Sequence, residues 1–507
     1  MSELDAPSGA GEPRKKTSID KDLRKFGSLE QASRSLTSGF AAPVIALLFL
    51  VLAGTVAATQ FGEKGSIAIL IGAAILGGYM AMNIGANDVA NNVGPAVGAR
   101  AMTLVGALLI AAVFECAGAL IAGGEVVSTI SKGIIDSSQV KSGQTFVWAM
   151  MSALLASAIW VNLATVLGAP VSTTHAVVGG VLGAGVAAAG FSAVNWPTMG
   201  AIAASWVISP VLGGAIAAAF LAFIKTFIIY QEDKIAQAKK WVPLLIAIMA
   251  GCFTAYLAMK GLKKIWKVGL PFAAGMGFVV LIVSWGVLRP AIAKQAEGLE
   301  NRNQSLRILF RWPLIFSAAL LSFAHGANDV ANAIGPLAAI VHTVGQGSIA
   351  TKVGVPLWVM LIGGIGISLG LFLYGPRIIR MVGEQITKMN PMRAYCVALS
   401  AAITVIIASA LGLPVSSTHI AVGAVFGVGF FREYYTSRSK RRRAFVKARA
   451  RTNFDSDDGL PDSAELIRRK LVRRSHFTVI VAAWIITVPA AAFLSALVFF
   501  VLDFATR

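Results

Sequence analysis

Charge is what this chain has least of. Only 13% of its 507 residues are Asp, Glu, Lys or Arg, about half the share carried by an ordinary soluble domain. With 56% of residues hydrophobic, that shortage argues against a water-facing surface over most of the length. Cysteine is also scarce. Cys116, Cys252 and Cys396 lie far apart inside apolar segments, without metal-ligand spacing, which argues against a disulfide framework or a zinc site. No nucleophile–histidine–acid set and no metal box is legible, so an enzyme has no support.

What the chain has instead is apolar blocks of bilayer-spanning length, about 20 residues each. Examples are Ala41–Ala58, Met102–Ala122, Phe146–Leu167, Val268–Val287 and Phe477–Val501. The sequence predicts an all-α polytopic membrane protein. Helices are expected over 39–59, 66–92, 103–123, 145–167, 170–190, 199–225, 242–259, 268–288, 312–336, 356–374, 393–412, 414–431 and 477–502. The segments 170–190 and 414–431 begin at Pro and are Gly-rich; each is either a full span or part of a re-entrant hairpin, giving about twelve or thirteen crossings. The first block follows a polar leader without a small-residue cleavage site and reads as a retained helix.

The net charge of +20 is concentrated in a few loops, notably Arg438–Arg451 and Arg468–Arg474. Cytoplasmic loops of membrane proteins collect Lys and Arg, so these runs read as topological signals and not as a nucleic-acid surface. With the basic leader inside, the loops 225–241, 289–311, 375–392 and 432–476 all fall inside, and only Lys260–Lys267 disagrees. The chain divides into a basic leader (1–38), an extra N-terminal helix (39–65), a first repeat (66–225), a central insertion with two helices (226–311) and a second repeat (312–507). The second repeat carries a basic cytoplasmic loop at 432–475.

The repeats are visible as motifs. "GANDVANNVGP" at Gly85–Pro95 returns 241 residues later as "GANDVANAIGP" at Gly326–Pro336. Each places an aspartate and, at matched positions, two asparagines at one depth of an apolar segment, with Gly and Pro expected to open the helix there. "GAPVSTTH" from Gly168 is matched by "GLPVSSTH" from Gly412. The two GANDVAN helices are seven predicted crossings apart, an odd number, so the duplication is inverted. That is the pattern of secondary transporters whose site lies between two halves near the midplane.

In PVSTTH, Gly and Pro end one helix and the hydroxyl residues open the next. The free N–H groups of that first turn, at the positive end of the helix dipole, make an anion cradle. Ser172, Thr173 and Thr174 add hydroxyl donors on one side; Ser416, Ser417 and Thr418 do so on the other. The alternative is a pair of buried helix caps. His175 and His419 close the two turns, as structural hydrogen-bonders or as proton carriers.

An intramembrane aspartate costs about 2.5–3.5 kcal/mol at a helix centre. Asp88 and Asp329 are the matched pair, and Asn87, Asn91, Asn328 and Asn332 offer amide oxygens beside them. Carboxylates repel an anion. If the cradles hold an anion, the aspartates must hold sodium, protons or a metal, which is coupled symport deduced from signs. A structural polar knot is the alternative. Glu115 has no partner at the aligned place of the second half; it is either a cation- or proton-pathway residue or a hydrogen-bonded interior acid.

Paired GANDVAN and PVSTTH/PVSSTH motifs in inverted halves around a central insertion resemble the PiT family of inorganic phosphate transporters, over about 66–225 and 312–502. The resemblance implies uptake of inorganic phosphate, free or as a metal–phosphate complex, driven by sodium or protons. It implies re-entrant hairpins at Pro170 and Pro414, and often a homodimer. The phosphate ligands would be Ser172, Thr173, Thr174, Ser416, Ser417 and Thr418, and the cation ligands Asp88 and Asp329 with the nearby asparagines. No further cofactor is implied. A multi-pass protein of the cell membrane, in a bacterium the cytoplasmic membrane, follows. A carrier of another tetrahedral anion such as sulfate and a non-transporting receptor are the rival readings.

Overall fold

In the computed structural model, the described residues are 40–60, 67–167, 171–261, 268–346, 354–385, 389–438 and 474–506. The basic leader, Pro170 and almost all of the basic loop lie outside them. Among the described residues the chain is helical, apart from one isolated antiparallel bridge between Ile135 and Val194.

Thirteen long helices are labelled in chain order. The first six are α1 (Phe40–Gln60), α2 (Ile67–Gly98), α3 (Leu104–Ala122), α4 (Gly143–Leu167), α5 (Thr173–Ala189) and α6 (Trp196–Ile224). They continue as α7 (Lys234–Lys260), α8 (Leu270–Gln295), α9 (Arg311–Gln346), α10 (Leu357–Gln385), α11 (Pro391–Ala410), α12 (Ser417–Arg438) and α13 (Arg474–Ala505). Eleven of them contain stretches long and apolar enough to cross a membrane. The two that do not, α5 and α12, follow the repeated PVSTTH and PVSSTH turns; α5, at 17 residues, falls short of the roughly 20 that a full crossing needs. Helix and crossing part company at these two places.

One expectation is corrected. Gly and Pro do not open the GANDVAN helices: α2 runs through Pro95 to Gly98, and α9 through Pro336 to Gln346. Inside a helical bundle neighbouring groups can re-satisfy what a proline frees, so the kink residue is tolerated. The proline still has no N–H to give its i−4 carbonyl. That carbonyl belongs to Asn91 in the first motif and to Asn332 in the second.

Among the described residues the apolar interior has two large cores, and α2 and α9 cross both in opposite order. The early part of α2 (Leu70–Ile84) shares one core with the late part of α9 (Val330–Val341). The late part of α2 (Val89–Ala96) shares the other with the early part of α9 (Leu314–Ala324). The two motif helices are therefore antiparallel, and the polar residues of each fall where it passes from one core to the other. Backbones close across this junction through glycine. A Cβ on Gly85 would overlap the Ile367 carbonyl of α10, and one on Gly326 would overlap the Glu115 carbonyl of α3. Each motif helix thus packs against the helix that follows its counterpart, so the two repeats are interleaved.

Candidate functional site

The first turns of α5 and α12 meet the motif helices at the junction. Ser172 is the N-cap of α5, with extended backbone, and its Oγ accepts from the His175 N–H at 3.1 Å. Ser416 does the same for α12, accepting from His419 N–H at 3.3 Å. Both hydroxyls secure their own turns, and each keeps its O–H to donate elsewhere. Ser172, Thr173, Thr174, Ser416, Ser417 and Thr418 are all buried.

Asp88 and Asp329 lie against these turns and are themselves fully buried. The Thr173 hydroxyl sits 3.0 Å from Asp88 Oδ2 and 3.2 Å from Asp329 Oδ2. It has one proton to donate, so it serves one carboxylate at a time. Thr418 Oγ1 donates to Asp88 Oδ1 at 2.9 Å, and Ser417 Oγ lies 3.4 Å from Asp329 Oδ2. The sequence-predicted carboxylates and both hydroxyl turns are therefore brought to one place.

The four asparagines divide into two kinds. Asn91 Nδ2 donates to Thr418 Oγ1 at 2.9 Å, and Asn332 Nδ2 donates to Thr174 Oγ1 at 3.1 Å, the same contact made twice. Thr418 passes its own proton to Asp88, whereas Thr174 donates to the Val415 carbonyl at 3.0 Å. Asn328 instead grips the backbone of the second turn, donating to Leu413 O and accepting from Val415 N–H, and its amide also lies 3.0 Å from Ser409 Oγ of α11. Asn87 matches it. With its oxygen turned to the Thr165 hydroxyl, its NH2 group reaches Val171 O and Asp88 Oδ1, both at 3.1 Å. Asn87 and Asn91 are part-exposed, whereas Asn328 and Asn332 are buried.

His175 and His419 meet each other edge-on, ring centroids 4.4 Å apart, and His175 packs on Trp206 at 3.9 Å. Trp206 in turn donates to the Pro414 carbonyl at 3.1 Å. This aromatic cluster joins the two turns.

Two residues escape the motif comparison. His325 immediately precedes the second GANDVAN, where the first copy has Ile84. Its Nε2 lies 3.3 Å from Asp329 Oδ2 and 3.7 Å from Asp88 Oδ2, and its Nδ1 is 3.3 Å from Glu115 Oε1. Asn92 donates to the same Glu115 oxygen at 2.7 Å. Ligand atoms of Asp88, Asp329 and His325 all fall within 4.8 Å of one another, the spacing of a cation site. Asp329 Oδ1 and Asn332 Oδ1 are buried acceptors without a hydrogen-bond donor. The only signal for His325 is its position, a histidine in an apolar stretch immediately before a repeated motif.

The comparisons with known proteins point one way. The model of the "Phosphate transporter family" matches residues 84–495. A protein of Helicobacter pylori (strain J99 / ATCC 700824) named "Putative phosphate permease" is 47% identical over 95% of this chain and 99% of its own length. A Pyrococcus abyssi protein of the same description is 37% identical over 84% of this chain and 96% of its own length. Among solved structures, "The sodium-dependent phosphate transporter" superposes with a TM-score of 0.76 at 37% identity, covering 86% of this chain and 99% of that one.

Proposed function

The chain belongs to the phosphate transporter family, and from that premise we propose that it imports inorganic phosphate with sodium, by alternating access at the junction between its two repeats. One observation carries the reading: the Thr173 hydroxyl lies between the Asp88 and Asp329 carboxylates while opening an anion cradle at the first turn of α5. Hydroxyls and free N–H groups suit an oxyanion. Two buried carboxylates within reach of the same hydroxyl repel that oxyanion unless cations lie between, since uncompensated buried charge is costly. Anion and cations then enter together or not at all. That is coupling by mutual neutralisation.

Sodium is preferred to the proton because the similar solved transporter is described as sodium-dependent. Oxygen ligands are abundant: the aspartates, the amide oxygens of Asn91 and Asn332, and the backbone carbonyls of those same residues, which Pro95 and Pro336 leave without a helical donor. Asn87 and Asn328, first read as cation ligands, act in this proposal by fixing the turns. A second reading, a phosphate carried as its complex with a divalent transition metal, is favoured by His325, because imidazole joins two carboxylates there.

Alternating access is supported by the antiparallel course of α2 and α9 and by the exposure of Asn91 against the burial of Asn332. Between α2 and α9 come α3 to α8. Whether α4 and α5 make two crossings or one hairpin that returns to its own face, the number of crossings between α2 and α9 is even, six or four, which leaves α9 opposite to α2, as an inverted repeat demands.

The test is labelled phosphate uptake into sealed proteoliposomes under an imposed sodium gradient, pH gradient or neither. Accumulation with the sodium gradient is expected. Accumulation with the pH gradient alone overturns sodium coupling, and binding without accumulation overturns transport. Co-uptake of manganese or zinc in proportion to phosphate selects the metal–phosphate reading. Sulfate, which stays fully ionised, would be taken up with little pH dependence, whereas phosphate uptake follows its second ionisation.

A further inference from the structure

Three arginines are drawn together at one end of the bundle, and core packing sets this up. Leu306, Leu309 and Phe310, from the short helix Asn303–Leu309 and its C-cap, share one apolar core with Met392, Ala394 and Tyr395 of α11; Phe431 of α12 packs against it. The Phe310 and Tyr395 rings lie 5.8 Å apart. Each of the three segments carries an arginine beside its apolar anchors: Arg307 after Leu306, Arg393 between Met392 and Ala394, and Arg432 after Phe431. Arg307 is exposed, while Arg393 and Arg432 are half-buried. Lys225 steadies the α12 segment, its Nζ 4.3 Å from the Tyr435 ring centroid and 5.4 Å from that of Phe431.

Arg393 stands in the first turn of α11, where the side chain of the N-cap Asn390 accepts from its N–H at 3.0 Å. That turn is the positive end of the helix dipole, which favours acids and disfavours bases. Among the described residues the guanidinium has no hydrogen-bond or ion-pair partner, and the ionisable side chains that act on it are Arg432, Arg307 and the Cys396 thiol. Three acids of the adjoining segments are occupied: Asp233 caps α7 through the Ala236 N–H, Glu300 pairs with Arg302, and Glu433 is itself engaged. A cytoplasmic bias accounts for basic residues in loops. It does not account for a half-buried arginine with five unused donors, set against two like charges and a helix N-terminus.

We propose that Arg393, with Arg307 and Arg432, forms a site for a phosphate group, separate from the junction between the repeats. Guanidinium forks match phosphate oxygens in pairs, and an anion there would relieve the repulsion among the three. Ser409, which meets Asn328 at the junction, lies further along α11, about 24 Å from Arg393 at 1.5 Å per residue. The three arginines border the loops 289–311, 375–392 and 432–476, which their basic charge places inside. Two sources offer this chemistry there: inorganic phosphate of the cytoplasm, or the headgroup of an anionic phospholipid of the inner leaflet. The site does not depend on the coupling ion.

The test uses purified, delipidated full-length protein in detergent. In saturating sodium, wild type is expected to bind two labelled phosphates per chain, and Arg393→Met, which keeps the aliphatic stem, one. Should the two proteins bind phosphate alike, the lipid arm decides. Short-chain phosphatidylglycerol is then expected to bind Arg393→Met about tenfold more weakly than wild type or worse, with phosphatidylcholine indifferent to the change. Arg393→Lys, which returns the charge without the fork, should recover part of the affinity for whichever source binds. With no phosphate or anionic lipid present, Arg393→Met should melt no lower than wild type, because only repulsion is lost. A lower melting temperature in that buffer marks a structural arginine and overturns the site. Phosphate and phosphatidylglycerol binding that are both indifferent to Arg393 overturn it as well. Loss of every bound phosphate in Arg393→Met would tie the arginine to the transport site, and overturns a separate one.

Discussion

At the scale of single residues, the candidate site is short of hydrogen-bond donors. Thr173 has one proton for two carboxylates, and Asp329 Oδ1 has no donor at all. Removing charge should therefore act differently from removing a hydroxyl. Asp88→Asn and Asp329→Asn keep the side-chain shape and should each abolish gradient-driven accumulation in proteoliposomes. Thr173→Ala leaves the peptide N–H cradle in place. Losing a hydrogen bond to a charged group costs about 1.5–3 kcal/mol, so phosphate affinity should fall about ten- to a hundredfold while cation dependence stays steep. Aspartate variants that keep full coupled uptake, beside a threonine variant that loses cation dependence, would show the roles reversed. The asparagines separate in the same way. Asn328→Ala removes two contacts to the second turn and one to Ser409 of α11 and should lower thermal stability. Asn91→Ala should mainly weaken sodium binding.

Helices explain what the motifs left ambiguous. A proline and a pair of glycines in a short motif suggest a broken helix, and the sequence alone cannot distinguish a break from a helix that continues without one hydrogen bond. Packing decides it. Gly85 and Gly326 are needed because another backbone lies against them, not because the chain turns there. Most of the element map was nonetheless legible, because apolar runs of bilayer length are a strong signal. The matched motifs also made both turns and both aspartates legible as one site. His325 and Asn92 were not, because their role depends on Glu115 from α3, and no spacing within the chain encodes that contact. Substitution tests the packing account. Ala at Gly85 or Gly326 puts a methyl group into a carbonyl, and overpacking typically costs about 1–3 kcal/mol; both variants should melt lower in detergent. Ala at Gly275, where nothing lies within 4 Å, should not. Pro95→Ala should return the Asn91 carbonyl to the helix, weakening sodium affinity without a loss of stability.

At the scale of the whole molecule, the two motif helices cross the same two cores in opposite directions, and their motif residues differ in exposure. The first repeat leaves Asn87 and Asn91 part-exposed, while the second closes over Asn328 and Asn332. In the proposed alternating access, an exchange of these two conditions between the halves would move access from one face of the membrane to the other without moving the ligands far. Such an exchange requires opposite orientation, and that can be measured in intact cells. Ser128 is exposed after α3, and Glu300 is exposed between α8 and α9, before the second motif helix begins. From Ser128 to Glu300 the chain passes α4 to α8, an odd number of crossings whether α4 and α5 count as two or as a returning hairpin. In a chain whose three native cysteines have been replaced, a cysteine at Ser128 should react with an impermeant maleimide from outside, and one at Glu300 only after the membrane is opened. Labelling of both from the same face would put α2 and α9 in parallel across the bilayer. The two cores already require them to be antiparallel, so that result would overturn the helix arrangement itself and not merely its placement in the membrane.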